Sequence, residues 1–403
     1  MTGEYPLKTI CLSIALVLML TTACADSASS PTPTQTPTQT PTQTPTPSMP
    51  WTEEDVTFTF GPHDLHGILT LPTSEGPYPA TVLISGSVNA ATGARNGVSC
   101  RYFVEHARQM VLSGFAVLRY DPPGVGRSTG ESGFESLDAR AQEALAALQY
   151  LKSRPDVRPE RVGLWGVSQG GWVIAMAAAQ SPQDVAFIIS DSGSGVSVAE
   201  QQVYSIEAQS TAAGMPEEEI TKAVLIGRLL IDWQLSDPIY RDVNTAELQA
   251  LGEGPWTRFA ALVYQPGEIT PATGLQEGIE ILRSIQDEPW AEFLYIKELY
   301  VPQLESIPPE QVMAVRAMVE PSLLNDPEDY LSRVRCPVLA AFGADDLLQP
   351  SETSAALYEQ YLTEAGNDDF EILVIPGVGH AFGISAPGYS DALSDWLDHL
   401  YSG

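Results

Sequence analysis

The chain has 403 residues, a formal net charge of −31 and 44% hydrophobic residues. This length allows one large domain or two moderate ones, and the apolar content is enough to bury a sizeable core. The acidic excess is spread along the chain, and such a surface is repelled by nucleic acid and by anionic lipid headgroups. Nucleic acid is therefore not an expected partner, although solubility alone also accounts for the charge.

The first 24 residues predict a secretory signal peptide. Lys8 precedes an apolar run that ends at Leu20, and small residues follow it. The run is too short for a membrane-spanning helix. Two processing routes fit these residues. We favour lipidation of Cys24, which resembles the lipid-bearing first residue of bacterial lipoproteins, over simple cleavage after Ala25. Both routes predict an exported protein, and the first predicts a cell-envelope protein that touches the membrane only through its lipid.

Residues 25–50 repeat Pro, Thr and Gln, a composition that cannot bury a core. We interpret this segment as a semi-extended linker. Directly after a lipid-bearing cysteine, such a linker would hold a folded domain away from the membrane. Without a lipid it would be a loose amino-terminal tail.

Two cysteines, Cys100 and Cys336, lie in the part of the chain that is expected to fold. In an exported protein such a pair can form a disulfide. Two buried free thiols explain the same residues equally well, so both alternatives stand.

From Trp51 onward, apolar runs alternate with helical patterns. The segments DVTFTF and HGILTLP alternate residue by residue around GPHD and predict a β-hairpin. Later runs are almost continuously apolar, which is typical of strands covered on both faces. We expect strands at 80–86, 115–121, 161–168, 185–190, 336–343 and 370–377. Strands alternating with helices predict an α/β fold with a mostly parallel sheet and helices on both faces.

The segment 195–332 interrupts this alternation. It shows helix-like spacing punctuated by Pro and Gly and has no clear strand. We therefore expect the core to comprise 51–194 and 333–403, with a helical insertion between them. The insertion is rich in aromatic residues, including Trp233, Phe259 and Trp290. They can form the insertion's own core, the interpretation we favour, or a wall that faces a substrate.

A G-x-S-x-G motif places Ser168 between a predicted strand and a predicted helix. In a nucleophile elbow the chain turns so sharply that the serine backbone is strained, and flanking glycines give it room. The motif alone is a weak signal, but strand, turn and helix are the context it requires. Ser168 is the candidate nucleophile, and the backbone N–H of Gln169 is a candidate oxyanion donor.

A serine hydroxyl is a poor nucleophile without a neighbouring base. Of the five histidines, His380 alone follows a predicted core strand in a glycine-bearing loop, IPGVGHAFG. Ligands bind at the carboxyl edge of open α/β sheets, so His380 is the candidate base.

An acid must orient the base. Asp345 and Asp346 both follow the strand CPVLAA in the loop FGADDLLQP. We favour Asp346, which gives the chain order Ser168, Asp346, His380 that is expected of this motif.

These segments resemble the α/β-hydrolase superfamily over residues 55–194 and 333–403. LHGILTLP is similar to the entry hairpin of its dienelactone-hydrolase-like and acyl-peptidase-like esterases, and LISGSVNAATGARNG is similar to the strand and oxyanion loop. The resemblance implies an α/β-hydrolase fold with a helical cap before the acid-bearing strand. It also supports Asp346 as the acid and implies that the N–H of Ser87 is the second oxyanion donor.

The expected activity is hydrolysis of a small-molecule carboxylic ester or other acyl substrate through an acyl-enzyme. Neither a cofactor nor a metal is implied, because the sequence has no ligand-spaced cluster of side chains. No protein partner is implied either. A serine peptidase or acyltransferase could use the same triad. A tethered binding protein with a hydrolase shape and no turnover is the alternative from another class.

Overall fold

The computed structural model describes residues 49–87, 95–132, 135–264 and 271–401. The predicted signal peptide at 1–24, Cys24 and all but the end of the linker at 25–50 lie outside the described residues. Within the described ranges, no helix combines the length and the apolar character needed to cross a bilayer.

Eight strands form one sheet in the spatial order β1-β2-β4-β3-β5-β6-β7-β8. β1 and β2 form the predicted hairpin, β2 also runs antiparallel to β4, and the remaining neighbours are parallel. The strands are β1 (Trp51–Phe60), β2 (His63–Pro72), β3 (Tyr78–Ile84), β4 (Ala116–Tyr120), β5 (Val157–Val167), β6 (Ile188–Asp191), β7 (Val338–Gly343) and β8 (Phe370–Ile375). β5 begins four residues before its predicted start because Val157 already pairs with Tyr78.

Helices cover both faces of this sheet, which explains why β4 and β7 are buried along their whole length. Alternate residues of a strand enter opposite cores: Val82 packs in the larger cluster and Leu83 in the smaller one. The core helices are α1 (Arg101–Leu112), α2 (Leu137–Lys152), α3 (Gln169–Gln180), α12 (Ser351–Glu364) and α13 (Tyr389–Tyr401). Residues of α2, α3 and α12 belong to the larger cluster, and residues of α1 and α13 belong to the smaller one.

This arrangement is the α/β-hydrolase fold, as predicted. An antiparallel hairpin leads into a parallel sheet, the strand order reverses between β3 and β4, and helices lie on both faces. The carboxyl ends of β3, β5, β6 and β7 therefore meet at one edge. Such an edge is where open α/β sheets bind ligands.

The described residues between β6 and β7 contain helices and no strand. These helices are α4 (Val198–Ala212), α5 (Glu217–Gln234), α6 (Arg241–Leu251), α7 (Pro255–Tyr264), α8 (Pro271–Ile285), α9 (Val301–Ser306), α10 (Val312–Leu323) and α11 (Glu328–Leu331). Short 3₁₀ and π turns connect some of them. Phe259 and Trp290 are fully buried, and the ring of Trp233 packs edge-on against Phe259 with centroids 5.5 Å apart. These aromatic residues therefore contribute to the interior of the helical segment.

Candidate active site

Ser168 lies at the corner between β5 and α3, with φ of 55° and ψ of −124°. A positive φ is unfavourable for a residue with a side chain and costs of order 1–3 kcal/mol. The flanking glycines permit the close approach that this turn requires. A Cβ on Gly166 would lie 2.2 Å from the carbonyl oxygen of Gly170, and one on Gly170 would lie 2.6 Å from that of Ile84.

Strained backbone is concentrated around this corner. Among the described residues, four non-glycine residues have a positive φ, and three of them are Ser168, Ser192 and Ala381. The N–H of Ser168 donates to the carbonyl of Asp191 at 2.7 Å, and the N–H of Ala381 donates to the hydroxyl of Ser192 at 3.2 Å. The strain therefore lies where the elbow, the end of β6 and the loop of His380 meet, and clustered strain is typical of functional sites.

The structure brings the predicted nucleophile, base and acid together. His380 Nε2 lies 2.9 Å from Ser168 Oγ, and His380 Nδ1 lies 2.7 Å from Asp346 Oδ2. An ionised carboxylate only accepts hydrogen bonds, so the Nδ1–H of a neutral imidazole donates to Asp346. Nε2 is then the acceptor for the hydroxyl proton of Ser168. This chain of contacts has the polarity that proton transfer from the serine requires.

The acid loop is held rigidly around Asp346. Its Oδ1 accepts hydrogen bonds from the backbone N–H groups of Leu348 at 2.8 Å and Gln349 at 3.2 Å. The side chain of Asp346 is completely buried, whereas Asp345 is exposed to solvent. Of the two candidate acids, only Asp346 faces the imidazole.

The two predicted oxyanion donors flank Ser168. Gln169 is the first residue of α3, where a backbone N–H has no acceptor within its own helix. Ser87 is buried just beyond the end of β3. The preceding residue, Gly86, lies against the nucleophile, since a Cβ placed on it would be 3.3 Å from Ser168 Cβ. The use of these N–H groups as oxyanion donors stays a prediction.

Arg140 on α2 is a residue at this site that the motifs did not reveal. Its side chain is buried, and its guanidinium donates to the backbone carbonyls of Ser85 and Gly86 and to Gln169 Oε1. The sequence feature that could have pointed to Arg140 is its pairing with Glu143 on the Ala-rich buried face of the helix.

A buried polar cluster lies beneath the elbow. The carboxylate of Asp191 accepts hydrogen bonds from Tyr102 at 2.6 Å, Trp165 at 2.8 Å and Tyr389 at 2.5 Å. Burial raises the pKa of Asp191 to about 6, although the three hydrogen bonds act to lower it. Burial also lowers the pKa of the neighbouring His106 to about 4, so this imidazole is neutral at physiological pH. The backbone carbonyl of Asp191 accepts a hydrogen bond from the N–H of Ser168, so this cluster is directly connected to the elbow.

The described histidines other than His380 lie in other surroundings. His66 is buried in the hairpin, with Nδ1 2.9 Å from Asp121 and Nε2 2.7 Å from Asp55. His399 on α13 is mostly exposed, as its sequence context predicted.

Cys336 is a free, buried thiol, so Cys100 and Cys336 do not form a disulfide with each other. Burial raises the pKa of the Cys336 thiol to about 12. The thiolate is the reactive form of cysteine, so burial and the raised pKa both lower the reactivity of Cys336 in the folded protein.

Residues 40–229 match the model of the X-Pro dipeptidyl-peptidase family S15. This span includes Ser168 and ends before Asp346 and His380. An uncharacterized 31.7 kDa protein from the traX-finO intergenic region of Escherichia coli is 22% identical over 254 residues, which cover 63% of this chain and 70% of that protein.

The solved structures that are similar to this chain include Est1E and a proline iminopeptidase. Est1E from Butyrivibrio proteoclasticus, with ferulic acid bound, is 17% identical and covers 86% of this chain and 100% of its own, with a TM-score of 0.48. Proline iminopeptidase from Mycobacterium smegmatis is 17% identical and covers 86% and 98%, also with a TM-score of 0.48. The sheet topology and the matched family model together support a serine hydrolase on the α/β-hydrolase scaffold.

Proposed function

We propose that the protein hydrolyses a small-molecule carboxylic ester through Ser168, His380 and Asp346. The observation that carries the proposal is the continuous pair of hydrogen bonds from Ser168 Oγ through the imidazole to Asp346. The strained backbone of Ser168 supports it, because strain of this kind persists only where surrounding structure maintains it.

In the first half of the reaction, Ser168 Oγ attacks the ester carbonyl carbon while its proton moves to His380 Nε2. The carbonyl π electrons move to oxygen, which becomes the oxyanion of a tetrahedral intermediate. The N–H groups of Gln169 and Ser87 stabilise this charge, and one such donor contributes roughly 3–4 kcal/mol to the transition state. Asp346 fixes the tautomer of His380 and stabilises the imidazolium.

Collapse of the intermediate breaks the bond to the alcohol, which leaves with the proton from His380 Nε2. The acyl group is now esterified to Ser168. His380 then removes a proton from water, which attacks the acyl carbon, and the second intermediate releases the carboxylic acid and restores the serine hydroxyl. Every proton in this cycle passes through the same imidazole nitrogen.

The helical segment 195–332 is proposed as a cap over this site. Its first helix, α4, contacts the acid loop through Tyr204, whose hydroxyl donates to the carbonyl of Asp346 at 2.9 Å. Because the surface carries a strong negative charge, an uncharged ester is the expected substrate rather than a polyanion.

A serine peptidase is the second candidate, and the match of residues 40–229 to the X-Pro dipeptidyl-peptidase family favours it. The triad cannot separate the two activities, since esters and amides pass through the same kind of tetrahedral intermediate.

Parallel assays distinguish these activities. Wild-type protein and Ser168→Ala are tested on p-nitrophenyl acetate, butyrate and octanoate and on X-Pro p-nitroanilides. We expect Ser168-dependent hydrolysis of at least one ester with a higher kcat/KM than any anilide. A higher kcat/KM on the anilides would make the protein a peptidase. Equal rates of ester hydrolysis by wild type and Ser168→Ala would contradict the proposed esterase activity.

The amino-terminal region suggests where this activity takes place. We propose that Cys24 carries a lipid and that residues 25–50 tether the hydrolase domain to the cell envelope. The test is metabolic labelling with a radioactive fatty acid in a bacterial host. Wild type is expected to be labelled and membrane-associated, and Cys24→Ala to lose both properties. An unlabelled wild type cleaved after Ala25 would contradict lipidation.

A further inference from the structure

Arg140 connects both sides of the candidate oxyanion hole. It lies in the first turn of α2, and its side chain is buried at 2% relative exposure. One terminal nitrogen donates to the carbonyl oxygens of Ser85 and Gly86, the latter at 3.0 Å, and the other donates to Gln169 Oε1. The three acceptors belong to the loop after β3 and to the first residue of α3.

The hydrogen bond to Gly86 bears directly on the N–H of Ser87. The carbonyl of Gly86 and the N–H of Ser87 belong to one peptide unit, which is planar and, when trans, directs these two groups in opposite directions. Fixing the carbonyl on Arg140 therefore fixes the direction of the N–H. The second carbonyl, that of Ser85, constrains the preceding peptide plane in the same way.

The contact with Gln169 couples this loop to the elbow. Gln169 contributes its backbone N–H at the start of α3, while its side chain is tied to the guanidinium. A planar guanidinium can donate several hydrogen bonds in fixed directions, whereas an ammonium is a compact charge without that geometry. The interaction thus requires arginine for its shape as well as its charge.

Arg140 keeps its charge in this buried position. Burial and the nearby Arg95 lower its pKa to about 9, and Glu143 and Glu135 oppose that change. The side chain therefore remains a cation at neutral pH. A cation bound to a peptide carbonyl also polarises the peptide unit, which strengthens the N–H as a donor.

We propose that Arg140 is a positioning residue that orients the two oxyanion donors, the N–H groups of Ser87 and Gln169, through one guanidinium. This inference rests on the proposed serine-hydrolase function. Arg140 acts through the backbone and does not touch the substrate. Its loss should therefore impair stabilisation of the oxyanion more than binding of the ground-state ester.

The experiment compares four variants with wild type: Arg140→Lys, Arg140→Met, Gln169→Met and Arg119→Met. Arg119 is the matched control because it is also a buried arginine, but its hydrogen bonds go to Val98, Thr70 and Glu53 rather than to Ser85, Gly86 or Gln169. For each protein, kcat and KM are measured on p-nitrophenyl butyrate, and the melting temperature is recorded. The inhibition constant is measured for n-butylboronic acid, whose boron accepts the serine oxygen to form a tetrahedral adduct.

We expect Arg140→Met to lower kcat by about 10–100-fold with little change in KM, since misplacement of catalytic groups by about 1 Å can have this effect. Its inhibition constant for the boronic acid should rise by a similar factor. Arg140→Lys should retain part of the activity, and Gln169→Met should show a smaller change in the same direction. Arg119→Met should keep kcat near wild type even where its melting temperature falls.

Equal kcat values for Arg140→Met and Arg119→Met, or a loss in Arg140→Met that appears in KM alone, would overturn the inference. If Arg140→Met does not fold, the same decision rests on Arg140→Lys and Gln169→Met, where wild-type kcat and boronic-acid affinity in both would reject it. Wild-type protein without Ser168-dependent hydrolysis would instead contradict the proposed function, so the two failures are distinguishable.

Discussion

The hydroxyl of Tyr204 donates a 2.9 Å hydrogen bond to the backbone carbonyl of Asp346. This contact joins α4, the first helix of the inserted segment, to the loop that carries the candidate acid. Gln201, one turn earlier on α4, donates to the carbonyl of Leu348 in the same loop. The helical segment is therefore hydrogen-bonded at two positions to the loop that carries the candidate acid.

Removing the Tyr204 hydroxyl tests this coupling. Tyr204→Phe should lower kcat severalfold and the free energy of unfolding by about 1 kcal/mol, because one hydrogen bond is lost while Leu348 and Gln349 still hold the carboxylate. Tyr240→Phe is the control in the same segment, since the buried hydroxyl of Tyr240 has no hydrogen-bond partner in the described part of the chain. Ester kinetics and urea titrations measure both effects. A kcat unchanged by Tyr204→Phe would contradict the coupling.

The adjacent aspartates provide a matched test of the acid. Asp346→Asn should reduce kcat by about 10⁴-fold, because an amide favours the wrong tautomer of the imidazole. Asp345→Asn changes the same charge one residue away on an exposed side chain, and its kcat should remain near wild type. Steady-state kinetics on one ester suffice. Comparable losses in the two variants would remove Asp346 from its assigned role.

Asp191 predicts a specific pH dependence of stability. Burial raises its pKa to about 6 in the folded protein, from an ordinary value of 3.8. The folded state therefore binds this proton more tightly than the unfolded state. The stabilisation is fully present below about pH 4 and is lost as the pH rises through about 6.

Asp191→Asn cannot ionise, so the stability advantage of wild type over this variant should shrink between about pH 4 and pH 7. The raised pKa of Asp191 predicts that this advantage shrinks by about 2–3 kcal/mol over that range. Urea titrations of both proteins at several pH values measure it. Taking the difference between the two proteins cancels groups that titrate equally in both. An advantage that stays constant or grows with pH would contradict the raised pKa.

The thiol of Cys336 should be protected by the fold. Because burial raises its pKa to about 12, iodoacetamide at about pH 8 should leave Cys336 unmodified in the native protein and alkylate it in urea. Peptide mass spectrometry identifies the modified residue directly. Rapid stoichiometric alkylation of Cys336 under native conditions would show that this thiol is accessible.

Sequence patterns revealed the fold and the candidate triad for a common physical reason. Strands covered on both faces are apolar over their whole length, so polar residues such as Ser168, Asp346 and His380 are conspicuous where those strands end. The topology then brings strand ends at one edge together. The sequence favoured Asp346 over the adjacent Asp345, and the family resemblance supported that choice.

Arg140 and the cluster around Asp191 were not predictable in the same way. Arg140 bonds to residues 55, 54 and 29 positions away, and Asp191 binds Tyr102 and Tyr389 at separations of 89 and 198 residues. No local pattern encodes such contacts. A charged residue on an amphipathic helix is usually exposed, and only tertiary packing shows that this one is buried.

Covalent labelling tests most directly whether Ser168 is a nucleophile that His380 activates. Wild type, Ser168→Ala and His380→Ala are treated with a fluorophosphonate probe, and the modified peptide is identified by mass spectrometry. We predict stoichiometric modification of wild type at Ser168 and none of Ser168→Ala. In His380→Ala, labelling should be slower by at least about 100-fold. An unlabelled wild type would indicate a binding protein with a hydrolase fold. Labelling that is equally fast without the imidazole would contradict the proposed activation.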